Sequence, residues 1–574
     1  LEIRRFRRED SDEVAEHINR SDSGWPGSGF IHGVPLTGEY VQEWLESTDW
    51  EIYLAWEKGQ VAGYSTLTCI DSKKKTAYIP LLNVDPEFHG RGIGRQLLYK
   101  CVQRAIEDRY NRLDLHTWPA NLKAIPLYKK MGFFWNPETS VHMVNYLPLI
   151  LQNPLVREFI DSREWYGFLQ RPLNLSEDEE TWQGLEVFNY RWTWEDDHLL
   201  VRVDRKGEQI VNISSPSFAL GLHLERQKSP LNVENHLSWE VKKDREETPV
   251  FISYQGEEDF WPRGQFPVMI REWTDKEKFK PGPEIELPPG GDKTALLKAR
   301  VLWHNHQMEM GVGLELNPVL RVTAPEELME IKPGEKKEVW FDLENCLDQD
   351  LVGELQILGC SRLEITVPET DIELGPRDRG SIRVFLRGRE KGVADLNMVF
   401  LFRQEQKQFK AYPWKGKVLI RQEGELTSFR TGEQTWMVND YLSLRLEGGR
   451  GTIWEKGRSD PAMKMGMMYW GPPFNSSLFY QGDFQHRVEG ERVVVSRSSS
   501  GDPRLELKME ITLAGHHIYT EYELVNYSDS REKVVLRPRN SVSGPAPVKM
   551  ALPLRDSVIY DYYDPHTFPG YFDL

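Results

Sequence analysis

The sequence predicts a multidomain protein, with one mixed α/β domain at the N-terminus followed by about three β-sandwiches. Helix and strand signals alternate as far as residue 150. A Gly-rich junction between a strand and a helix spans Asn83 to Leu98. From about residue 185 onward, long helical periodicities nearly vanish, and short β-rich runs recur between Gly, Pro, Asn and Asp turns. At 574 residues the chain is several times longer than a typical domain, so several separate cores are expected.

Asp10 or Ser11 can cap a first helix carrying Val14 and Ile18 on one face, and Thr37 a second with Tyr40, Val41, Trp44 and Leu45 at helical spacing. Ile52 to Trp56, the turn Glu57-Lys58-Gly59-Gln60 and Val61 to Thr68 read as a hairpin, and Lys75 to Val84 as the next strand. Gly92 to Ile106 carries the clearest helical stripe, Ile93, Leu97, Leu98, Cys101, Val102, Ala105 and Ile106. A strand over Leu113 to Trp118, a short helix over Ala124 to Met131 ended by Gly132, and a strand over Val141 to Leu147 complete domain 1–150.

Asn153 to Leu169 predicts an amphipathic helix, and with the acidic run Ser176 to Glu180 it makes 151–182 a helical linker. Breaks near Asn317-Pro318 and between Gly424 and Glu433 divide the rest into sandwiches 183–316, 317–424 and 425–574. Leu199 to Val203, Gln209 to Ile213, Glu338 to Leu343, Ser381 to Leu386 and Arg492 to Val495 are representative strands. The middle sandwich, anchored on the turn Lys332-Pro333-Gly334-Glu335, resembles an immunoglobulin-like module. The last, with Gly448-Gly449 and Gly471-Pro472-Pro473 turns and a long strand from His517 to Val525, distantly resembles the galactose-mutarotase-like superfamily.

Composition narrows function. Seventy-two basic against 89 acidic side chains give a formal charge of -17, which argues against nucleic acid as a partner. No apolar run approaches the ~18 residues of a membrane span, and Arg4, Arg5, Arg7 and Arg8 lead into no apolar signal segment, so no membrane insertion is expected. Cys69, Cys101, Cys346 and Cys360 have no metal-ligand spacing; free thiols and a cytoplasmic location are expected, and no metal.

The chemistry-bearing segment is Asn83-Val84-Asp85-Pro86-Glu87-Phe88-His89-Gly90-Arg91-Gly92-Ile93-Gly94-Arg95-Gln96-Leu97-Leu98. Glycines at 90, 92 and 94 let the backbone approach a bulky anion, and the free amides at the helix start offer hydrogen bonds and positive dipole to a pyrophosphate. A dinucleotide fingerprint starting at Gly90 needs its third glycine where Arg95 stands, and a Walker loop needs a Gly-Lys-Ser/Thr that is absent. A second motif follows, Asn121-Leu122-Lys123-Ala124-Ile125-Pro126-Leu127-Tyr128-Lys129-Lys130-Met131-Gly132-Phe133.

Together these segments resemble the GNAT acetyltransferase superfamily, which combines a strand ending Val-x-Pro, a Gln/Arg-x-x-Gly-x-Gly/Ala loop, a long helix, and then Asn with Ala-x-x-Leu-Tyr-x-x-x-Gly-Phe. The resemblance covers residues 1 to about 148, and His89 stands where the family has Gln or Arg. It implies a GNAT fold, a mixed twisted sheet flanked by helices, and acetyl-CoA as acyl donor. Leu82, Asn83 and Val84 would offer backbone groups to the acetyl carbonyl and the pantetheine arm. His89, Gly90, Arg91, Gly92, Ile93, Gly94 and Arg95 would form the pyrophosphate loop. Asn121 would bind the pantetheine, and Tyr128 would sit near the thioester sulfur as the catalytic proton donor to the departing thiolate. Packing of Tyr128 under Phe133, a plain N-cap role for Asn121 and solvated Arg91 and Arg95 are the structural alternatives.

The acceptor side is less legible. Many relatives place a carboxylate on the strand before the loop, but here that strand reads Ala77-Tyr78-Ile79-Pro80-Leu81-Leu82 and offers no acid. Glu39, Asp71, His116, His32 or a held water are the candidate bases, against a turn role for Asp71 and an interior role for His116. The loop Gly24 to Gly33, carrying Trp25, Phe30 and His32, reads either as a lid over the acceptor pocket or as an ordinary Gly-rich connection. Trp192 and Trp194 would share one strand face, able to stack on sugars or to pack a core, and His304 with His306 lack a third metal ligand.

Two functions therefore compete. One is an N-acetyltransferase in which the amine attacks directly and the sandwiches recruit the acceptor, a glycan, peptide or protein. The other is a carbohydrate-binding or carbohydrate-active β-protein with an accessory acetyltransferase domain. The absence of an assignable carboxylate pair in 180–574 favours the first. Oligomeric state is not legible.

Overall fold

The computed structural model describes residues 1–22, 35–46, 49–118, 121–139, 141–160, 165–195, 197–243, 249–256, 258–269, 271–282, 285, 287, 292–303, 306–358, 360–404, 407–410, 414–458, 460–465, 469–471, 484–498, 505–527, 529, 535–537, 540–542, 548–553 and 558–563. They fall into two compact units, Leu1–Asn317 with Tyr563, and Pro318–Tyr562.

The first unit opens with β1 (Glu2–Arg5), α1 (Ser11–Ser21), α2 (Gly38–Glu46), β2 (Glu51–Glu57), β3 (Gln60–Asp71), β4 (Thr76–Tyr78), β5 (Leu82–Val84), α3 (Ile93–Glu107), β6 (Arg112–His116), α4 (Ala124–Lys130), β7 (Phe134–Trp135) and β8 (His142–Asn145). One mixed sheet runs β1-β2-β3-β4-β6-β8-β7, with β5 paired to β3. The β4–β6 pair is parallel, as a strand–helix–strand crossover through α3 requires. α3 buries Ile93, Leu97, Leu98, Cys101, Val102 and Ala105, and each large aliphatic contributes roughly 1.5–3 kcal/mol over the exposed state.

Caps and breaks refine the expectations. Thr37 Oγ1 accepts from Tyr40 N at 3.3 Å and caps α2. Asp10 precedes α1 without capping it, because its carboxylate accepts from Arg7 N and from Arg4 Nη1, both at 2.7 Å. The single strand expected over Lys75 to Val84 is two strands, β4 and β5. Pro80 lies in the break, where it has no N–H for a ladder. Thr66 holds the kink by bonding Leu81 O through its backbone N–H at 2.9 Å and accepting from Leu81 N on its hydroxyl at 3.0 Å.

Gly132 ends α4 with φ +94, and a Cβ there would sit 2.6 Å from Leu147 Cδ1. Gly132→Ala is therefore expected to destabilise the unit by about 1–3 kcal/mol. A lower urea midpoint at unchanged m-value is the measurement that checks this.

Short helices α5 (Leu147–Gln152), α6 (Pro154–Ile160) and α7 (Trp165–Phe168) follow, so the described part of the expected Asn153 to Leu169 helix is α6 and α7. Trp165 stacks on Tyr99 of α3 at 5.3 Å. The acidic run is not a solvated face throughout. Asp178 is buried, takes Lys129 Nζ at 3.1 Å and Arg171 Nη2 at 3.3 Å, and accepts from Trp135 N at 2.7 Å. Burying these cations is tolerable only because they are paired.

The strands β9 (Leu169–Gln170), β10 (Glu180–Trp182), β11 (Leu185–Trp194), β12 (Asp197–Asp204), β13 (Gln209–Ser214), β14 (Ala219–Leu224), β15 (Lys228–Pro230), β16 (Asn235–Lys242), β17 (Val250–Tyr254), β18 (Gln265–Val268), β19 (Glu272–Phe279), β20 (Lys293–Trp303) and β21 (His306–Asn317) complete the unit. One sheet runs β10-β11-β12-β13-β14-β16-β19 with β9 on β11, and the other β15-β21-β20-β17-β18. Their alternating buried residues, such as Val201 and Val203 on β12 and Met310, Val312 and Leu314 on β21, supply the core. Trp192 and Trp194 are buried; Trp192 Nε1 donates to Trp165 O at 3.0 Å and Trp194 packs on Phe159 and Phe168. The pair is packing, not a sugar platform. His304 lies outside the described residues.

This all-β layer is joined to the N-terminal sheet through Phe134, whose ring lies 4.6 Å from Phe188 and 4.8 Å from Tyr190, and through Tyr146 N, which donates to Tyr190 Oη at 2.6 Å.

The second unit is all-β among its described residues. A four-stranded sheet built on Lys336–Asn345 and Arg379–Gly388 accompanies a six-stranded one built on Leu351–Leu358 and Gly392–Gln404. The turn at Lys332 has Gly334 at φ +80 and Glu335 N donating to Lys332 O at 3.1 Å. Beyond Thr427, two further sheets share a core of Met437, Leu444, Val493, Val495 and Ile511. All four cysteines are free.

Candidate active site

The strand-to-helix junction folds as a cradle. Asp85 accepts from Glu87 N at 3.0 Å and opens a short 3-10 turn over Pro86–Phe88. Gly90 and Gly92 then take φ +79 and +77, the left-handed region where a Cβ is disfavoured. Gly92 is the N-cap of α3 and supplies no side-chain acceptor. The helical ladder starts at Gln96 N to Gly92 O, 3.1 Å, so the amides of Ile93, Gly94 and Arg95 have no helical acceptor and are oriented for an anion. Gly94 packs against Leu127 and Val84, where a Cβ would make ordinary contacts at 3.5 Å.

His89 braces this loop. With the proton on Nε2 it donates to Val84 O at 2.9 Å, tying the exposed loop back to β5. Arg91 is held by Glu57 at 2.9 Å and lies over the Phe88 ring, so it reaches a phosphate only by leaving that partner. Arg95 is exposed and lies beside Tyr166, 6.0 Å from the ring centroid.

Below the cradle, β4 and β5 diverge. Ile79 N still bonds Asp114 O at 2.9 Å, tying the chain to β6, whereas Leu82, Asn83 and Val84 pair with Ser65, Tyr64 and Gly63 alone. The outer edge of β5 therefore faces a wedge toward β6. Asn83 is braced by Ser21, its Nδ2 donating to Oγ at 3.0 Å.

Asn121 donates to Thr117 Oγ1 at 2.9 Å and accepts from Ala124 N at 3.3 Å, so it orders the start of α4. Tyr128 on α4 is 8% exposed and its ring is 6.1 Å from Phe133. Burial alone pushes its phenol up to about 12, which keeps it protonated and able to donate at neutral pH.

The sequence-selected acceptor residues separate. Trp25, Phe30 and His32 lie outside the described residues. Glu39 is exposed on α2. Asp71 shapes a turn, accepting from Lys73 N and Lys74 N at 2.9 Å. His116, at the end of β6, is not interior: it is exposed, and it is organised. Tyr78 Oη lies 3.2 Å from its Nδ1, and the His142 ring stacks on it at 4.4 Å with planes 8° apart. Although the residue is exposed, its ring is covered by His142 and Tyr78, and this desolvation with the neighbouring His142 pushes its imidazole down to about 4, so it is neutral and able to accept a proton at pH 7.

The comparisons with known proteins bear on residues 19–133, which match the family model described as Acetyltransferase (GNAT) family. This segment is a GNAT acetyltransferase domain. A mycothiol acetyltransferase of Propionibacterium freudenreichii is 24% identical to the chain over 134 residues, covering 23% of this chain and 43% of that protein. An uncharacterized N-acetyltransferase of Methanocaldococcus jannaschii is 27% identical over 136 residues, covering 23% and 59%. The chain thus spans about half the length of the curated relatives it matches. Among solved structures, the Thermoplasma acidophilum PaiA N-acetyltransferase in complex with coenzyme A is 19% identical, covering 25% of this chain and 95% of that one at a TM-score of 0.20.

Sequence reasoning missed three residues beside the GNAT wedge: Tyr78, His142 and Asp114. Asp114 and His116 share one face of β6 by alternation, a signal present in the sequence. His142 is opposite His116 only through the β6–β8 register, which no local pattern reports. Among the described residues no helix is long and apolar enough to cross a membrane.

Proposed function

We propose that the GNAT domain transfers an acetyl group from acetyl-CoA to an amine by direct attack, and that the β-sandwiches recruit or orient the acceptor. The observation that carries this reading is the cradle itself: three helix-start amides without a helical acceptor, two glycines with positive φ, and a wedge between β5 and β6. Gly90, Gly92, Ile93 and Gly94 hold the pyrophosphate through backbone amides, with Arg95 and a released Arg91 adding charge. His89 fixes the loop against β5. The outer edge of Leu82 to Val84 aligns the thioester and pantetheine arm, and Asn121 with Thr117 orders the start of α4 beside it.

In the reaction the amine nitrogen bonds to the thioester carbonyl carbon and the carbon–sulfur bond breaks. His116, neutral at pH 7, takes the proton from the nitrogen of the adduct, a far stronger acid than the free ammonium, so a weak base suffices. Tyr128 gives its proton to the departing sulfur. No covalent enzyme intermediate is required. The unpaired cysteines suit the cytoplasmic location expected from composition.

The test is to incubate the full chain with acetyl-CoA and a mixed library of peptides with free N-termini, amino sugars and polyamines, and to identify products by mass. One class of amine is expected to gain an acetyl group. No acetylated product, together with no calorimetric binding of acetyl-CoA, would overturn the reading.

A further inference from the structure

Asp114 lies at the centre of a contact chain that begins outside the GNAT domain, in the first sandwich. The β12–β13 turn is clamped there by buried Asp204, whose Oδ2 accepts from Gly207 N and Gly313 N at 2.7 Å and whose Oδ1 accepts from Gln227 Nε2 at 2.5 Å. Gly207 lies so close to β21 that a Cβ on it would be 2.6 Å from Gly313 N. The clamp sets the next residue, Glu208, at φ +56, with its N–H donating to Asp204 O at 2.9 Å. A turn fixed this way delivers a side chain in one direction.

That side chain meets Arg112 on β6, Nη1 to Oε1 at 2.5 Å. Arg112 in turn pairs with Asp114, Nη2 donating to Oδ2 at 3.0 Å while Nε lies 2.8 Å from Oδ1 without hydrogen-bonding geometry. Asp114 Oδ2 lies 3.0 Å from His142 Nε2, and His142 stacks on His116. The other groups facing this chain are Lys74, 3.9 Å from Glu208, Tyr146 beside Arg112, and Tyr78 on His116. Arg112 is raised above its usual range: burial opposes the shift, and Tyr146, Asp114 and Glu208 outweigh it. The guanidinium is therefore a permanent charge that two carboxylates share.

We propose that Glu208 is a positioning residue for the acceptor half of the site, acting through Arg112, Asp114 and His142 on His116, so that the first sandwich completes the GNAT domain. The proposal rests on the role given to His116 above. Two functional consequences follow. The Glu208–Arg112–Asp114 ladder fixes the His142 ring, and hence the face on which His116 rests. It also keeps the Asp114 carboxylate, the charge in contact with the histidine pair, in place at the moment His116 takes a proton, which then leaves to solvent from the exposed edge of His116.

Glu208→Gln in the full chain removes the charge and keeps a hydrogen-bond acceptor. With histidine-selective 15N labelling, and with His116→Gln and His142→Gln to assign the pair, the variant is expected to lower the titration midpoint of the pair by roughly half a pH unit, the scale of removing one screened charge at intermediate dielectric. Glu208→Asp should restore at least part of that shift. In the mixed amine assay, kcat should fall about threefold while the acetyl-CoA KM stays unchanged. A lower urea midpoint with an unmoved histidine titration and unchanged kcat would overturn the proposal and leave Glu208 a structural contact. The titration needs neither acetyl-CoA nor acceptor, so it decides the role of Glu208 even if the acetyltransferase reading fails.

Discussion

His116→Ala is expected to lower kcat by about 100- to 1000-fold while leaving acetyl-CoA affinity within a factor of about two. His116 ends β6, across the wedge from β5, and is not part of the cradle proposed for the cofactor. The pH dependence separates its role from that of the acceptor. With its imidazole held down at about 4, His116 is deprotonated over the whole range above pH 5 and contributes no acid limb there. The limb of kcat/KM should instead follow the ammonium of the acceptor and move when an amine of different basicity is used. A limb near the ordinary histidine range that vanishes in His116→Ala would place the base elsewhere on the energy scale than the structure does.

Tyr128→Phe removes one oxygen from a buried helix face and nothing else. The expected loss is about 100-fold in kcat, with acetyl-CoA binding and the urea midpoint nearly unchanged. Because burial raises the phenol to about 12, the neutral donor form persists well above pH 10, so wild-type kcat should show no basic limb from Tyr128 below about pH 11. Packing alone would predict the reverse pattern, with little change in kcat. Thioesters of more acidic thiols need less protonation on departure, so the Tyr128→Phe defect should shrink with them.

Legibility followed the range of the interaction that decides each feature. Gly90 and Gly92 were readable because positive φ is a local demand, and the α3 stripe because helical periodicity is local. The division of Lys75 to Val84 into two strands was announced by Pro80, yet the apolar run around it read as continuous. Spacing offers Asp10 or Ser11 as the cap of α1, but Arg4 on β1 claims the Asp10 carboxylate. His142 and Glu208 were invisible for a stronger reason: one depends on β-sheet register and the other on a sandwich turn reaching across to Arg112. The tryptophans of β11 show the same lesson from the other side, since alternation gave their shared face but not what covers it.

The central claim, that the start of α3 and the edge of β5 form an acyl-CoA cradle, is tested most directly by hydrogen–deuterium exchange on the full chain with and without coenzyme A. The amides of Ile93, Gly94 and Arg95 precede the first helical bond of α3 and have no helical acceptor, so the account predicts that coenzyme A slows exchange in peptides covering Leu82 to Val84 and Gly90 to Arg95. Unchanged exchange there, with protection appearing elsewhere in the chain, would contradict it.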